Sequence, residues 1–219
     1  MDSSSGFRTI LPSEVNRRIN KLLTGDVLLF AGAGVSRAIQ VLTASRWSHV
    51  GVVVKKGSRA FVWEATPDRS FDCELCSKAH GGVRLVPLDT RLASSGRVDC
   101  RRLIGVDRPT RNRFRQLTRD GLFQGKHYPD YYDPELALAV VDWDLPVFLN
   151  KENDDRFFCS ELVARVYQSV GLFRDDPMFR ANEFTPRSFS EQDEKLPWID
   201  LLPRKRPAPR LGPQFTLKD

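Results

Sequence analysis

The sequence lacks the long apolar run that a membrane-spanning helix requires. Its uninterrupted apolar stretches, such as Val27-Leu28-Leu29-Phe30 and Val52-Val53-Val54, contain only a few residues, whereas a spanning helix needs about 20. The first six residues are acidic and polar, without the basic start and apolar core of a secretory signal. These absences predict a cytoplasmic protein with no transmembrane segment.

A disulfide framework and a phosphate-binding glycine motif are missing as well. The four cysteines show no regular spacing over 219 residues, which predicts free thiols in a reducing compartment. The glycines of Ala31-Gly32-Ala33-Gly34 do not fit the dinucleotide or P-loop spacing. We therefore predict no cofactor. The length and a hydrophobic content of 41% fit one domain, residues 1–202, followed by a tail.

The positive charge is concentrated at the C-terminal end. Residues 203–219 carry a net charge of +4 out of the total of +6, which leaves about +2 for the rest of the chain. This distribution predicts no basic face on the domain and no nucleic-acid partner. The Pro/Arg-rich segment 203–219 is predicted to be a flexible tail, and weak contact with an acidic partner or an anionic membrane surface is the alternative reading.

Periodicity and turn residues predict the main elements. Ser13 is a candidate cap for a helix over 12–24, with Val15, Ile19, Leu22 and Leu23 on one face. The residues 27–30 predict a buried strand. The other predicted elements are a short helix at 35–43, strands at 83–88 and 98–104, a charged helix from Pro109 to about Phe123, and an unassigned stretch at 137–150.

Two β-branched runs around Lys55-Lys56-Gly57-Ser58 predict a hairpin. A two-residue loop at 56–57 or a four-residue loop at 55–58 gives the same register, and both place His49 opposite Glu64 on one face of the sheet. A histidine beside a carboxylate is a candidate base with its orienting group. The alternatives are a strand-end histidine bonded to backbone and an exposed edge glutamate.

Cys159 precedes an apolar periodicity at Leu162, Val163, Val166 and Val170 that predicts an amphipathic helix from about residue 160 to 170. A cysteine at a helix N-terminus is favoured as thiolate, which is the nucleophilic form. The alternative is a small buried hydrophobe.

The stretch 68–82 is polar and irregular and predicts a surface excursion. It contains Cys73, Cys76 and His80, a pattern that suggests zinc. A fourth ligand with recognisable spacing is missing, however, and Cys100 is a poor candidate. We therefore predict no metal site.

Short motifs in a fixed order resemble a known family, the circularly permuted papain-like cysteine hydrolases of the NlpC-like superfamily, in particular the YiiX-like branch. The motifs span 25–173 and are Gly25-Asp26-Val27-Leu28-Leu29-Phe30, Ser36-Arg37-Ala38-Ile39, Thr43, Trp47-Ser48-His49-Val50-Gly51, Val62-Trp63-Glu64-Ala65, Gly125-Lys126-x-Tyr128 and Phe158-Cys159-Ser160-Glu161-Leu162-Val163.

The resemblance implies an α+β papain-like fold, with an antiparallel sheet packed against the N-terminus of the nucleophile helix. It further implies Cys159 as nucleophile, His49 as base and Glu64 as the orienting third member, with backbone N–H groups near Cys159 receiving the oxyanion. The neighbouring motif residues Tyr128, Ser48, Trp47 and Ser160 are expected to contact substrate.

These features predict a cysteine hydrolase that cleaves an amide bond through a thioester acyl-enzyme. The expected substrate is a peptide, a cell-wall-type peptide or a lipid amide. One alternative is an acyltransferase or thioesterase acting on acyl lipids, by distant similarity to lecithin:retinol acyltransferase-like proteins. A second alternative is a non-enzymatic module that binds a peptide or a partner.

Overall fold

The computed structural model of the protein describes residues 11–32, 45–128, 155–175, 180–193, 196–199 and 208–219. Within these ranges the helices are α1 (Ser13–Asn20), α2 (Leu88–Ala93), α3 (Arg108–Asp120) and α4 (Cys159–Ser169), with 3-10 turns η1 (Ala181–Glu183) and η2 (Pro186–Phe189). The strands are β1 (Val27–Phe30), β2 (His49–Lys56), β3 (Arg59–Thr66), β4 (Asp72–Cys73), β5 (Lys78–Ala79), β6 (Gly82–Pro87), β7 (Val98–Ile104) and β8 (Arg210–Lys218). The predicted helix at 35–43 and the stretch at 137–150 lie outside the described residues.

A six-stranded antiparallel sheet in the order β6-β3-β2-β1-β7-β8 organises these elements. Its central strands are buried on both faces because they carry continuous apolar runs. One face packs against α4, whose Leu162 and Val163 are fully buried, and the other packs against α1 and α2. The sheet therefore has a helix-covered core on each side, and the predicted strands at 27–30, 83–88 and 98–104 are confirmed.

The hairpin forms as predicted, but its register differs by two residues. Lys56 pairs with Arg59, so the loop is Gly57-Ser58 and Gly57 has a φ of +62°, as the first central position of a type II′ turn requires. His49 is therefore not directly opposite Glu64, and the predicted pairing is wrong. Because side chains alternate between the faces with a period of two, a shift of two residues leaves both groups on the same face.

The first helix is shorter than the predicted span 12–24. It begins at Ser13 after Pro12, without a capping bond from a side chain, and ends at Asn20. Its end is set by a turn in which the Asp26 carboxylate accepts a hydrogen bond from the Leu23 N–H at 2.8 Å. Leu22 is buried, but Leu23 is 45% exposed and does not join the apolar face.

The C-terminal segment contradicts the prediction of a flexible tail at residues 210–218, which form the edge strand β8 paired with β7. The buried guanidinium of Arg101 donates to the carbonyls of Leu211 and Gly212 at 3.1 and 2.9 Å. Pro213 is compatible with this strand because an edge strand tolerates a missing N–H. The Pro/Arg-rich composition that predicts disorder is therefore compatible with a strand at the edge of the sheet.

The predicted charged helix corresponds to α3, which begins one residue before Pro109 and is capped by the Asp107 carboxylate. Together with the β2–β3 turn it lines a basic cavity of about 470 Å³. The cations at this cavity are Lys55, Lys56, Arg108, Arg111, Arg115 and Arg119. The expectation of a domain without a basic face is thus wrong, because residues distant in sequence converge there.

Within the described ranges, no helix has the length and apolar character that crossing a bilayer requires.

We expect Leu217→Ala in β8 to lower the free energy of unfolding by about 2–5 kcal/mol, because its fully buried side chain leaves a cavity when truncated. Leu23→Ala removes the same atoms from an exposed position and is the matched control, with an expected change within about 0.5 kcal/mol. Urea denaturation measures both changes. Equal, small effects of the two substitutions would show that β8 does not pack on the domain.

Candidate active site

Cys159 is the first residue of α4, as the sequence predicts. Its side chain is 4% exposed, and the helix packs against β2 and β3 through its apolar face. The N-cap residue is Phe158, whose ring cannot accept a hydrogen bond, and no side chain of that residue caps the helix. The sulfur lies at the positive end of the helix dipole, and the carboxylate of Glu161 in the same turn accepts a hydrogen bond from the Phe158 N–H at 3.3 Å.

His49 is the first residue of β2, and it connects the sheet to Cys159. Its Nε2 lies 2.7 Å from Oε2 of Glu64, and its ring packs against Phe30 at a centroid distance of 5.3 Å. With the carboxylate on Nε2, the other nitrogen, Nδ1, is left for the sulfur. The two side chains meet diagonally across the hairpin, and the observed register places Gly51 opposite Glu64, where no side chain separates them.

The pKa of His49 reflects both neighbours. Burial alone lowers it, but the negative charge and hydrogen bonding of the Cys159 sulfur, followed by those of Glu64, raise the pKa from 6.5 to about 9. The imidazolium form is therefore favoured at neutral pH. The arrangement can hold a thiolate–imidazolium pair, which supplies an attacking sulfur and a proton donor at the same place.

Glu64 is fully buried in β3 and is held by two arginines in addition to His49. Arg84, directly opposite in β6, donates to Oε1 at 2.9 and 3.1 Å, and Arg91 of α2 donates to both carboxylate oxygens at 3.0 and 3.2 Å. Burial raises the pKa of Glu64, but Arg91, His49 and Arg84 outweigh that effect and hold the pKa well below its usual range. Glu64 is thus a carboxylate at every physiological pH.

Arg84 and Arg91 are not among the site residues that the sequence predicts. Arg84 interrupts an otherwise apolar strand, and a charged residue in a buried strand indicates a buried partner. That signal was present in the sequence, although it does not identify Glu64. Arg91 lies over the ring of Phe30 at 4.6 Å and donates to Ser95 at 2.7 Å. These contacts fix α2 beside the carboxylate.

A cavity of about 580 Å³ opens on His49. The predicted substrate contacts Ser48 and Tyr128 line it, together with the charged side chains of Asp68 and Arg91. Its remaining lining residues are Phe30, Ala31, Gly32, Thr66, Pro67, Ser94, Ser95 and Gly96. Tyr128 also packs edge-on against the Phe158 ring at 5.8 Å, which places it between the cavity and the start of α4.

The two other predicted substrate contacts are not among the cavity residues. Trp47 is 1% exposed and packs in the core on the α4 side of the sheet. Ser160 is 3% exposed, and its hydroxyl donates to the carbonyl of Phe184. Both side chains have structural contacts that explain their burial. The structure thus brings together Cys159, His49 and Glu64, with Ser48 and Tyr128 at the adjoining cavity.

Comparison with known proteins identifies the class. The model of a family described as permuted papain-like amidases, YaeF/YiiX, C92, matches residues 21–207. The chain belongs to this family, which confirms the predicted resemblance and the α+β permuted papain-like fold. At the level of the family, the match supports a cysteine hydrolase of the amidase or peptidase type.

The solved structures to which the chain is similar include that of the metalloprotein yiiX from Escherichia coli O157:H7. It shares 25% sequence identity over 68% of this chain and 67% of the other, with a TM-score of 0.48. A comparison with curated proteins gives no significant match.

We expect NMR titration of His49 to give a midpoint of about 9 in the wild type and a midpoint closer to 6.5 in Cys159→Ser, because the variant removes the anionic sulfur. Since the pKa of folded His49 lies above the unfolded value, its contribution to stability is complete below pH 6.5 and is lost as the pH rises through about 9. Cys100→Ser is the control. Identical midpoints in Cys159→Ser and the wild type would contradict the pairing.

We expect Arg84→Met to lower the free energy of unfolding by about 3–5 kcal/mol, because it removes one partner of a buried carboxylate. Adding Glu64→Gln to this variant should recover part of the loss, since the uncompensated charge is then absent. Arg59→Met is the control, because it breaks a largely exposed pair with Glu74 and should cost about 0–1 kcal/mol. Additive effects of the Arg84 and Glu64 substitutions in urea denaturation would contradict the coupling.

Proposed function

We propose that the protein is a cysteine-dependent hydrolase that cleaves an amide bond, with Cys159 as nucleophile, His49 as proton carrier and Glu64 as the group that orients His49. The observation that carries the proposal is the position of His49, which bonds Glu64 through Nε2 and interacts with the Cys159 sulfur at the start of α4. A nucleophile, a base and an orienting group in contact form the arrangement that covalent acyl transfer requires.

In the first half of the reaction, the Cys159 thiolate attacks the carbonyl carbon and forms a C–S bond. Backbone N–H groups in the first turn of α4 stabilise the negative charge that develops on the carbonyl oxygen, while the Glu161 carboxylate accepts from the N–H of Phe158 that precedes the helix. When the C–N bond breaks, His49 transfers its proton to the leaving nitrogen. The products are a free amine and a thioester on Cys159.

In the second half, neutral His49 takes a proton from water, and the resulting hydroxide adds to the thioester carbon. The C–S bond then breaks, the carboxylic acid product leaves, and the thiolate–imidazolium pair is restored. Glu64 keeps its bond to Nε2 throughout, so Nδ1 faces the sulfur and the entering water in both steps. The steps require no external redox agent.

The cavity beside His49 favours a peptide over an acyl lipid as substrate. Its lining includes the polar residues Thr66, Ser94 and Ser95 and the charged residues Asp68 and Arg91. These groups match the donors and acceptors of a peptide backbone, whereas an acyl chain would require an apolar groove. A peptide amide is therefore the substrate class that we propose, and acyl transfer from a lipid is the less supported alternative.

We expect iodoacetamide to label Cys159 in the wild type, and we expect the labelling rate at neutral pH to fall by about tenfold in His49→Ala, because the imidazolium that stabilises the thiolate is lost. Peptide mapping by mass spectrometry locates the label. Cys100→Ala is the matched control, because Cys100 is fully buried away from His49 and its removal should leave the rate at Cys159 unchanged. Uniform labelling of all cysteines that does not depend on His49 would refute the nucleophile assignment.

The same variants separate hydrolysis from binding alone. We expect cleavage of a peptide library to disappear in Cys159→Ala and to fall by about 10²–10⁴-fold in His49→Ala. A mass increase on Cys159 that matches the acyl part of the substrate would identify the thioester. Binding of peptides without cleavage would support the binding-module alternative, and acyl adducts from lipid esters alone would support the acyl-lipid alternative.

A further inference from the structure

The excursion between β3 and β6 brings three metal-binding side chains together. Cys73, Cys76 and His80 each offer one ligand atom, and these atoms all lie within 4.8 Å of one another. None of the three belongs to the proposed catalytic site. The sequence spacing predicts no metal site, because a fourth ligand is missing, but the fold brings the three ligand atoms close enough to share an ion.

The backbone from Cys73 to Ser77 forms a tight turn. β4 and β5 pair with Cys73 opposite Lys78, and the N–H groups of Cys76 and Ser77 both donate to the carbonyl of Cys73 at 3.3 and 2.8 Å. Ser77 has a φ of +55°, the left-handed conformation that non-glycine residues rarely adopt. This turn folds the second thiol back towards the first, with the Cys-x-x-Cys spacing of known zinc sites.

His80 directly follows β5, and its tautomer is fixed. The Nδ1 of His80 lies 2.8 Å from the carbonyl oxygen of Gly81, which can only accept a hydrogen bond, so Nδ1 carries the proton. The lone pair is therefore on Nε2. A histidine that ligates a metal usually donates its other N–H to a carbonyl or carboxylate in this way.

The donor set selects the class of metal. Two thiolates and one imidazole favour Zn²⁺, because the soft sulfur ligands exclude Mg²⁺ and Ca²⁺ and the thiolates balance the charge of the ion. At a Zn–S distance of about 2.3 Å, tetrahedral geometry places the ligand atoms about 3.8 Å apart, so each separation within 4.8 Å needs to close by at most about 1 Å. Among the described residues no fourth side chain joins the group. A water molecule would take the fourth position of a tetrahedral ion.

We propose that Cys73, Cys76 and His80 bind one Zn²⁺ ion that fastens the excursion to the sheet. The two strands of the excursion are only two residues each, which is too short for independent stability. The metal would hold this hairpin where the Glu74 N–H donates to the carbonyl of Leu85 in β6. The neighbouring residue Arg84 then bonds both Asp68 at the start of the excursion and Glu64.

The proposal is tested on the full chain, purified with reductant and without added chelator. We expect about one equivalent of zinc per chain by elemental analysis, and we expect the loss of at least nine tenths of it in Cys76→Ser and in His80→Ala. Cys100→Ser and His127→Ala are the matched controls, one thiol and one imidazole outside the group, and they should retain the metal. Cobalt added to the metal-stripped wild type should give a thiolate-to-cobalt charge-transfer band that Cys76→Ser and His80→Ala lack.

Two measurements on the wild type keep the proposal testable even if the variants fold poorly. The metal-stripped wild type should show the cobalt band, and its melting temperature should rise when Zn²⁺ is added. Absence of the cobalt band from the reduced, stripped wild type would overturn the proposal. Zinc content that is equal in the wild type and both ligand variants would overturn it as well. So would a Cys73–Cys76 disulfide in the isolated protein whose reduction does not restore metal binding.

Discussion

The buried carboxylate of Glu64 is the constraint on which the described site depends. A charge with no exposed surface must be compensated, and it receives bonds from β2, β6 and α2 through His49, Arg84 and Arg91. Each bond fixes the position of one element relative to β3. The same bonds orient the imidazole, so the interaction that holds the sheet and α2 together also sets the geometry at the sulfur. Stability and the proposed chemistry therefore share one group.

The candidate site was predictable where local patterns determine it. The apolar periodicity after Cys159 defines the helix, and the alternation along two strands places His49 and Glu64 on one face. The exact register was not predictable, because the choice between neighbouring turns depends on small differences in turn energy. The arginine partners of Glu64 could not be predicted, because Arg84 meets Glu64 across an excursion whose length and path the sequence leaves open. Long-range pairing is the missing information in each case.

The fold shows the same division between local and long-range information. Buried strands with continuous apolar runs were identified, because such runs have few alternatives in a chain of this length. β8 was missed because Pro, Gly and Arg resemble a disordered composition, and only pairing with β7 and the buried Arg101 makes it a strand. The cluster of Cys73, Cys76 and His80 was discounted for a similar reason. A ligand count along the sequence does not reveal that a short hairpin places three donors together.

The two guanidinium groups on Glu64 also help to orient the base within the proposed catalytic group. Arg84 and Arg91 hold the carboxylate from two further elements, so its hydrogen bond to Nε2 fixes the direction of the His49 ring. The Cys159 sulfur and the Glu64 carboxylate both raise the pKa of His49, so the ring has a partner on either side. The sheet and the helix that follows it in the chain thus each supply one partner of His49. In this permuted arrangement the proposed base precedes the proposed nucleophile in the chain, and the packing of α4 on β2 and β3 brings the two together.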